Sequence, residues 1–172
     1  MLAKTIMRQE WQPGARALEI GCGLGLPGIC ALFRGLCVTF SDYDLTALDF
    51  AARNARLNGF DRFETLPLDW NHPPRELKFP IILAADLIYE LRAINPLVAL
   101  IQRMLSPDGT CYLADPGRLP AYNLCDALRG EGMPFETAIA RAGEPGGRRQ
   151  KGTIYLIRLP RAKYGTGPAR PR

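Results

Sequence analysis

The 172-residue sequence has few of the features that mark membrane, secreted or metal-binding proteins. No apolar run approaches the roughly 18 residues of a membrane-spanning helix, and Lys4, Thr5 and Arg8 interrupt the apolar residues at its start, so no leader peptide is predicted. The five cysteines form no Cys-x-x-Cys pair, and the single histidine, His72, lies in an Asn-His-Pro-Pro turn. We therefore predict no metal site and no disulfide framework, and we expect a cytoplasmic protein without a membrane partner.

Positive charge is concentrated towards the C-terminal end. Residues 141–172 hold nine Lys or Arg and one acid, a charge of +8, whereas the whole chain carries +5, which leaves −3 on residues 1–140. We predict one domain over residues 1–160 and a basic, disordered tail over residues 161–172. The basic end makes nucleic acid a candidate partner besides a protein substrate, and the sequence leaves the oligomeric state open.

The most informative stretch runs from Ala17 to Gly28 and reads Ala-Leu-Glu-Ile-Gly-Cys-Gly-Leu-Gly-Leu-Pro-Gly. An apolar run that carries one acid leads into four glycines, and a helical pattern follows. Glycine accepts positive φ and lets a ligand approach the backbone closely, and Pro27 suits the first turn of a helix. The stretch predicts a strand, a tight turn and a helix N-terminus that faces a ligand, although a turn without a ligand would use the same residues.

Two classes of ligand fit this turn. Gly23-x-Gly25-x-x-Gly28 matches the dinucleotide fingerprint, and Asp42 lies 19 residues after Gly23, where a ribose-binding acid is expected. From Glu19 onwards, the same residues form Glu-x-Gly-x-Gly-x-Gly, which resembles motif I of class I methyltransferases that use S-adenosylmethionine (SAM). Glu19 would attract the cationic groups of SAM and repel the pyrophosphate of a dinucleotide. The glycines alone leave a methyltransferase and an NAD(P)-dependent oxidoreductase open.

Strands and helices are predicted to alternate along the chain. The last two strands have no helix between them, so they should form an antiparallel hairpin. We predict an α/β fold with a doubly wound, mostly parallel, seven-stranded Rossmann-like sheet, in which strand seven is antiparallel; the order 3-2-1-4-5-7-6 is that of the methyltransferase sheet. The predicted strands cover residues 17–21, 37–41, 63–68, 81–85, 110–114, 134–140 and 153–159. The predicted helices are a short one before Pro13 and those over residues 26–34, 45–57, 96–105 and 119–129, with a loop over 71–80 and a turn over 106–109.

Polar side chains follow several predicted strands, and the carboxyl ends of parallel strands meet at one edge of a sheet. Asp42 can accept both ribose hydroxyls, Trp70 offers a flat face to adenine, and Asp69 can accept from the adenine amino group. Asp86 can orient an acceptor nitrogen and take its proton, and the Tyr89 ring can favour a cationic product. The alternatives are helix caps for Asp42 and Asp86 and packing aromatics for Trp70 and Tyr89.

Five motifs between Ala17 and Arg118 resemble the family-sixteen branch of seven-strand SAM-dependent methyltransferases, which includes protein lysine methyltransferases. Besides motif I they are Ser41-Asp42-Tyr43-Asp44, Leu68-Asp69-Trp70, Ala84-Ala85-Asp86-Leu87-Ile88-Tyr89-Glu90 and Ala114-Asp115-Pro116-Gly117-Arg118. The last is similar to that of the electron-transfer-flavoprotein β-subunit lysine methyltransferases and of bacterial nicotinamide N-methyltransferase-like proteins. The resemblance implies an N-methyltransferase that acts on protein lysine, with SAM as cofactor and with Asp86 and Tyr89 as catalytic residues. It implies cofactor contacts from Glu19, Gly21, Cys22, Gly23, Gly25, Asp42, Tyr43, Asp69, Trp70 and Ala85.

Other functions stay open at this point. A small-molecule or nucleic-acid methyltransferase would share the cofactor motifs, although the stretch from Ala85 to Tyr89 lacks the Asn/Asp-Pro-Pro-aromatic run typical of enzymes that methylate base amino groups. Relatives usually carry a longer segment before motif I than the sixteen residues present here. We therefore expect either a start further upstream or an unusually open site, and a SAM-binding module without catalysis is a further alternative.

Overall fold

A seven-stranded mixed sheet with helices on both faces forms the fold. The computed structural model describes residues 1–118, 121–143, 146–147 and 149–160, so the predicted tail at 161–172 lies outside the described residues. The strand order is β3-β2-β1-β4-β5-β7-β6, with β7 antiparallel to β5 and to β6. The predicted fold class, strand order and antiparallel hairpin are confirmed. The strands are β1 (Arg16–Ile20), β2 (Cys37–Asp42), β3 (Glu64–Pro67), β4 (Phe79–Ala85), β5 (Leu105–Asp115), β6 (Phe135–Ala142) and β7 (Gln150–Ile157). The helices are α1 (Leu2–Arg8), α2 (Leu26–Phe33), α3 (Leu45–Leu57), α4 (Ile94–Met104) and α5 (Ala121–Gly130), with a 3-10 turn at Leu91–Ala93 before α4.

Two buried apolar clusters lie on opposite faces of the sheet. Successive side chains of a strand point to opposite faces, so Leu18 joins the cluster that includes residues of α4 and α5, whereas Ala17 joins the one that includes residues of α1, α2 and α3. Ile82 and Leu83 of β4 divide in the same way. The central strands are therefore covered on both faces.

The start of β5 differs from the prediction. Residues 106–109 were predicted as a turn, but β5 begins at Leu105, directly after α4. Between Leu105 and Thr110 the pairing with β4 is irregular, since the partner strand advances only from Phe79 to Ile81. The Ser-Pro-Asp-Gly sequence thus lies at an irregularity within a strand. The backbones approach closely here, since a Cβ atom on Gly109 would lie only 2.9 Å from the Pro80 carbonyl oxygen.

The observed bounds of two further elements, α4 and β3, differ from the predicted ones. Helix α4 begins at Ile94, before the predicted start at Pro96. Pro96 is tolerated in the first turn because the N–H groups of that turn have no intrahelical acceptor, so the N–H that proline lacks is not needed. Strand β3 is shorter than predicted and pairs with β2 only from Glu64 to Pro67. No helix in the described part of the chain has the length and apolar character needed to cross a bilayer.

Candidate active site

A cavity of about 440 Å³ opens at the carboxyl edge of the sheet. Its walls come from the segments that follow β1, β2, β3 and β4, as expected for an open parallel sheet. Eight of the twelve predicted site residues line it, while Glu19, Cys22, Gly25 and Asp69 do not. The lining residues are Gly21, Gly23, Asp42, Tyr43, Asp44, Ala47, Trp70, Ala85, Asp86, Leu87 and Tyr89.

The glycine turn needs glycine for two different reasons. Gly23 has φ +51°, and a Cβ atom there would meet no atom within 4 Å, so its backbone is open to an approaching ligand. A Cβ atom on Gly28 would instead lie 2.4 Å from Cε1 of Phe40. The first position leaves room for a ligand, and the second lets the start of α2 pack closely against β2.

Glu19 lies beneath the turn and contacts helix α2. Its side chain is buried, and Oε2 accepts a hydrogen bond of 2.9 Å from the Gly28 N–H. Burial raises the pKa of Glu19 to about 8; the hydrogen bond from Gly28 opposes this effect, and the nearby charge of Asp42 adds to it. The sequence predicted a direct contact between this acid and a cationic ligand. The structure places this carboxyl group inside the fold, where it holds the first turn of α2 and does not line the cavity, so the contact with a ligand stays a prediction.

Cys22 and Gly25 also support the turn from within. The Cys22 N–H donates to the Ser41 carbonyl oxygen over 2.9 Å, and its own carbonyl oxygen accepts from the Gly25 N–H over 2.7 Å. Burial raises the pKa of the Cys22 thiol, and the charges of Glu19 and Asp42 add to the effect. This cysteine is therefore a packing residue and an unreactive thiol.

Asp42 closes the turn from the end of β2. Its Oδ2 accepts from the Gly23 N–H over 3.1 Å, and its Oδ1 accepts from the Asp44 N–H over 3.1 Å. The helix cap is Asp44, whose Oδ1 accepts from the Thr46 N–H over 2.8 Å, so the capping alternative for Asp42 is wrong. A carboxylate has about four acceptor positions, so Asp42 keeps capacity for two further donors from the cavity.

Trp70 separates this cavity from a second one of about 470 Å³, which Tyr43 and Asp69 also line. Trp70 is half-buried and packs against the core, so the packing interpretation and the predicted ligand face both fit it. Asp69 is exposed and already engaged: Oδ1 accepts from the N–H of Asn71 over 2.9 Å, and Oδ2 lies 2.8 Å from Nδ1 of His72. These contacts, first that with His72, lower the pKa of Asp69.

Asp86 and Tyr89 lie at the other end of the cavity, after β4. Asp86 has φ +58°, the left-handed region, and its N–H donates to the Ala114 carbonyl oxygen over 2.9 Å. Its carboxylate caps no helix; it accepts from Nε and Nη2 of Arg118 over 2.9 and 2.7 Å. The guanidinium carbon of Arg118 lies 4.3 Å from the centroid of the Tyr89 ring. The capping alternative for Asp86 is therefore wrong, and the packing alternative for Tyr89 fits poorly because the residue is 61% exposed.

Arg118 does not line the cavity but contacts Asp86, and the sequence prediction gave it no role. It closes the Asp115-Pro116-Gly117-Arg118 motif, which was noted for its resemblance to lysine methyltransferases but was given no role. The signal was the position of this motif directly after a strand that neighbours β4. The contact with Asp86 joins residues 32 positions apart, so the sequence alone does not specify it.

Comparison with known proteins confirms the resemblance inferred from the motifs. A histidine protein methyltransferase 1 homolog of Dictyostelium discoideum is 40% identical over 107 residues, which cover 59% of this chain and 35% of that protein. The histone-arginine methyltransferase METTL23 of Rattus norvegicus is 33% identical over 95 residues, which cover 52% of this chain and 42% of that protein. The chain thus spans less than half the length of these two curated relatives.

A solved structure shares the fold. The crystal structure of the N-methyltransferase NodS from Bradyrhizobium japonicum WM9, in complex with S-adenosylhomocysteine (SAH), matches with a TM-score of 0.70 and 15% sequence identity, over 90% of this chain and 84% of that one. A family described as lysine methyltransferase matches residues 2–121, which include every predicted site residue. The chain therefore belongs to this lysine methyltransferase family.

Proposed function

We propose that the protein is a SAM-dependent N-methyltransferase that modifies a lysine side chain of a protein, and that residues 1–160 form its catalytic domain. The observation that carries this proposal is the single cavity that brings Gly23 and Asp42 together with Asp86 and Tyr89. One end offers a glycine backbone and a carboxylate suited to an adenosyl group. The other end offers a carboxylate and an exposed aromatic ring suited to an amine.

The charges around the cavity favour SAM over a dinucleotide. Among the described lining residues are three carboxylates, on Asp42, Asp44 and Asp86, and no lysine or arginine. The sulfonium and ammonium groups of SAM would be attracted to such a surface, whereas a pyrophosphate would be repelled. The residues present therefore fit SAM, with Gly21, Gly23 and Ala85 lining its path along the backbone edge, Asp42 accepting from ribose hydroxyls and Trp70 beside the adenine.

The side chains after β4 explain how an amine would be handled. SAM, when bound, would supply an electrophilic methyl group and leave as the thioether SAH. Both contacts from Arg118 go to Oδ1 of Asp86, so Oδ2 remains for the N–H of an acceptor nitrogen and for its proton, directly or through water. The ring of Tyr89, which Arg118 also contacts, would favour the methylated cation through its π face. The protein thus aligns the acceptor and receives a proton, and the good leaving group makes further activation of the methyl donor unnecessary.

The choice of a protein nitrogen is supported by the relatives. These relatives are named as methyltransferases of protein histidine and of histone arginine, and the family is described as lysine methyltransferase. All three acceptors are nitrogens on protein side chains, and we propose lysine because the family match covers the largest part of this chain. A nucleic-acid acceptor would draw on the basic C-terminal end, much of which lies outside the described residues.

The cofactor proposal is tested by calorimetric titration with SAH and with NAD. We expect micromolar binding of SAH and none of NAD, and a weaker SAH interaction in Asp42→Ala but not in Asp61→Ala, which changes an exposed acid outside the cavity. Binding of NAD alone would overturn the proposal.

The acceptor is tested with tritium-labelled SAM and a dialysed cell lysate, followed by digestion with protease or with nuclease. Label released by protease, and recovered as methyl-lysine after acid hydrolysis, is the expected result. Label on methyl-histidine or methyl-arginine would keep the enzyme class and replace the acceptor. Label released only by nuclease would contradict a protein substrate, and SAH binding without transfer to any fraction would indicate a binding module.

A further inference from the structure

Arg118 contacts both members of the predicted catalytic pair. Its Nε and Nη2 donate to the same Asp86 oxygen, Oδ1, over 2.9 and 2.7 Å, and its guanidinium carbon lies 4.3 Å from the Tyr89 ring centroid. The side chains of Arg118 and Asp86 are 36% and 48% exposed, so the pair is not in the core; Asp86 lines the cavity and Arg118 lies behind it. One cation thus fixes one carboxylate oxygen of a residue that lines the cavity, and within the described ranges no hydrogen bond engages the other oxygen.

The backbone beneath Arg118 is itself held in place. The N–H groups of Gly117 and Arg118 both donate to Oδ1 of Asp115 over 2.8 Å, and Asp115 is 1% exposed at the end of β5. Its Oδ2 is buried without a hydrogen-bond partner among the described residues. Burial of a carboxylate costs free energy, and the two hydrogen bonds from Gly117 and Arg118 offset part of that cost. They also fix the direction of the chain between the end of β5 and Arg118.

Asp86 is held from the same side. A non-glycine residue with φ +58° occupies a sparsely populated region and keeps it only where several contacts enforce it. Here the Ala114 carbonyl oxygen binds the Asp86 N–H, and Arg118 binds the Asp86 side chain. The end of β5 therefore determines both the backbone and the side-chain position of Asp86.

We propose that Arg118 is a positioning residue that directs Oδ2 of Asp86 towards the acceptor amine and disfavours the protonated form of that amine. The inference rests on the proposed function, because it concerns the acceptor end of the same site. A fixed positive charge within about 4–6 Å of an entering lysine lowers the pKa of its amine, and only the neutral amine can accept a methyl group.

Other charged groups around the acceptor position act in the opposite sense. Asp86 itself, Asp115 below it, and Asp42 and Asp44 across the cavity all favour an ammonium ion. Glu90 and Arg92, on the segment that follows Tyr89, form an ion pair with each other, and Tyr89 and Tyr43 are the neighbouring phenols. Arg118 thus opposes a surplus of carboxylates, which is why its removal should change the pH dependence of the reaction.

The test compares Arg118→Gln, Arg118→Lys and the control Arg129→Gln. Arg129 is a matched control because it also pairs with an aspartate, Asp126, over 2.8 Å and lies 5.6 Å from an aromatic ring centroid, that of Phe135, but outside the cavity. Transfer of tritium from labelled SAM to a dialysed lysate is measured between about pH 6.5 and pH 10, around the range in which a perturbed lysine titrates. SAH titration and thermal melting of each variant report whether the fold and the cofactor end are intact.

We expect Arg118→Gln to lower the transfer rate about 10²-fold near pH 7.5 and to move the rising limb of the rate profile upward by roughly one pH unit or more. In Arg118→Lys the rising limb of the rate profile should lie at the same pH as in the wild type, because lysine keeps the positive charge. Only part of the transfer rate should be recovered, because lysine loses the planar contacts with Asp86 and Tyr89. SAH affinity should stay within a few-fold in all three variants, and Arg129→Gln should match the wild type.

The outcomes separate this inference from the proposed function. A wild type that binds no SAH and transfers no label refutes the proposed function itself. Transfer by the wild type with an unchanged rate and profile in Arg118→Gln refutes the inference alone. A lower rate without a shifted profile would show that Arg118 merely supports the loop, and a higher rate would show that it competes with the acceptor; either result overturns the proposal.

Discussion

Replacement of Glu19 by glutamine should make the protein more stable at alkaline pH. The wild-type carboxyl group is buried against α2, and burial raises its pKa from 4.5 to about 8. Since the folded protein holds this proton more tightly than the unfolded chain, the stabilising contribution is complete below about pH 4.5 and is lost as the pH rises towards 8. An amide in the same place can still accept the Gly28 N–H bond and never ionises.

The size of the effect follows from the same pKa. At about 1.36 kcal/mol per pH unit, the interval between 4.5 and about 8 corresponds to roughly 5 kcal/mol as an upper limit. Water that enters the loop when Glu19 ionises reduces this figure, so we expect Glu19→Gln to exceed the wild type in free energy of unfolding by about 2–4 kcal/mol at pH 8. At pH 5 the difference should be about 1 kcal/mol or less, because this pH lies only about half a unit above the ordinary pKa of 4.5, where the loss of the stabilising contribution has just begun.

Urea unfolding, followed by circular dichroism at several values between pH 5 and pH 8.5, measures this difference. Glu76→Gln is the control, since Glu76 is exposed and its carboxylate stays in contact with water in both states. A difference between Glu19→Gln and wild type that does not change with pH would refute the reasoning. SAH affinity of Glu19→Gln should change by no more than a few-fold, because Glu19 does not line the cavity. A hundred-fold loss of affinity would instead favour the direct contact between Glu19 and the cofactor that the sequence suggested.

Three further predictions follow from the cofactor end and the surface. Asp42→Ala should weaken SAH binding by about 2 kcal/mol in calorimetry, because the ribose hydroxyls and the Gly23 N–H lose a charged acceptor. Gly28→Ala should lower the free energy of unfolding by about 1–3 kcal/mol in a urea titration, because the new Cβ would lie 2.4 Å from Cε1 of Phe40, whereas Gly130→Ala, which meets no atom within 4 Å, should not. Among the five cysteines, all of which lie in the described ranges, Cys37 is the exposed one, so a thiol reagent at pH 8 should modify it first, as peptide mass spectrometry would show.

The elements whose signals are local were predictable from the sequence. The glycine turn, the cap at Asp44 and the final hairpin depend on residues within a few positions of one another, and all three are present. The orientation of Glu19 was also within reach, because Leu18 and Ile20 alternate with it and face the opposite side of the sheet, towards α4 and α5. The charge of Glu19 alone favours contact with a cationic ligand, whereas the alternation along β1 turns its side chain away from the face that Leu18 and Ile20 occupy.

The remaining features depend on how distant segments meet. The irregular pairing of β5 with β4 around Gly109 depends on the register of two strands, and a Pro-Asp-Gly run read alone is a turn. Arg118 reaches Asp86 because Ala114 pairs with Ala85 in that register. A sequence pattern places each residue at the end of its own strand, but it does not specify which side chains from adjacent strand ends form a bond.

The two ends of the cavity are supported by separate sets of bonds, and this has a kinetic consequence. Asp42 holds the glycine turn, Arg118 holds Asp86, and no hydrogen bond within the described ranges joins one set to the other. Besides the pairing of β1 with β4, they meet by apolar contact, where the Leu87 side chain lies so close to Gly21 that a Cβ atom would be 2.5 Å from it. Binding at either end should therefore leave the other unchanged, so cofactor and acceptor are expected to bind in either order. Initial rates should follow the pattern of a random sequential enzyme. SAH should compete with SAM and not with the acceptor.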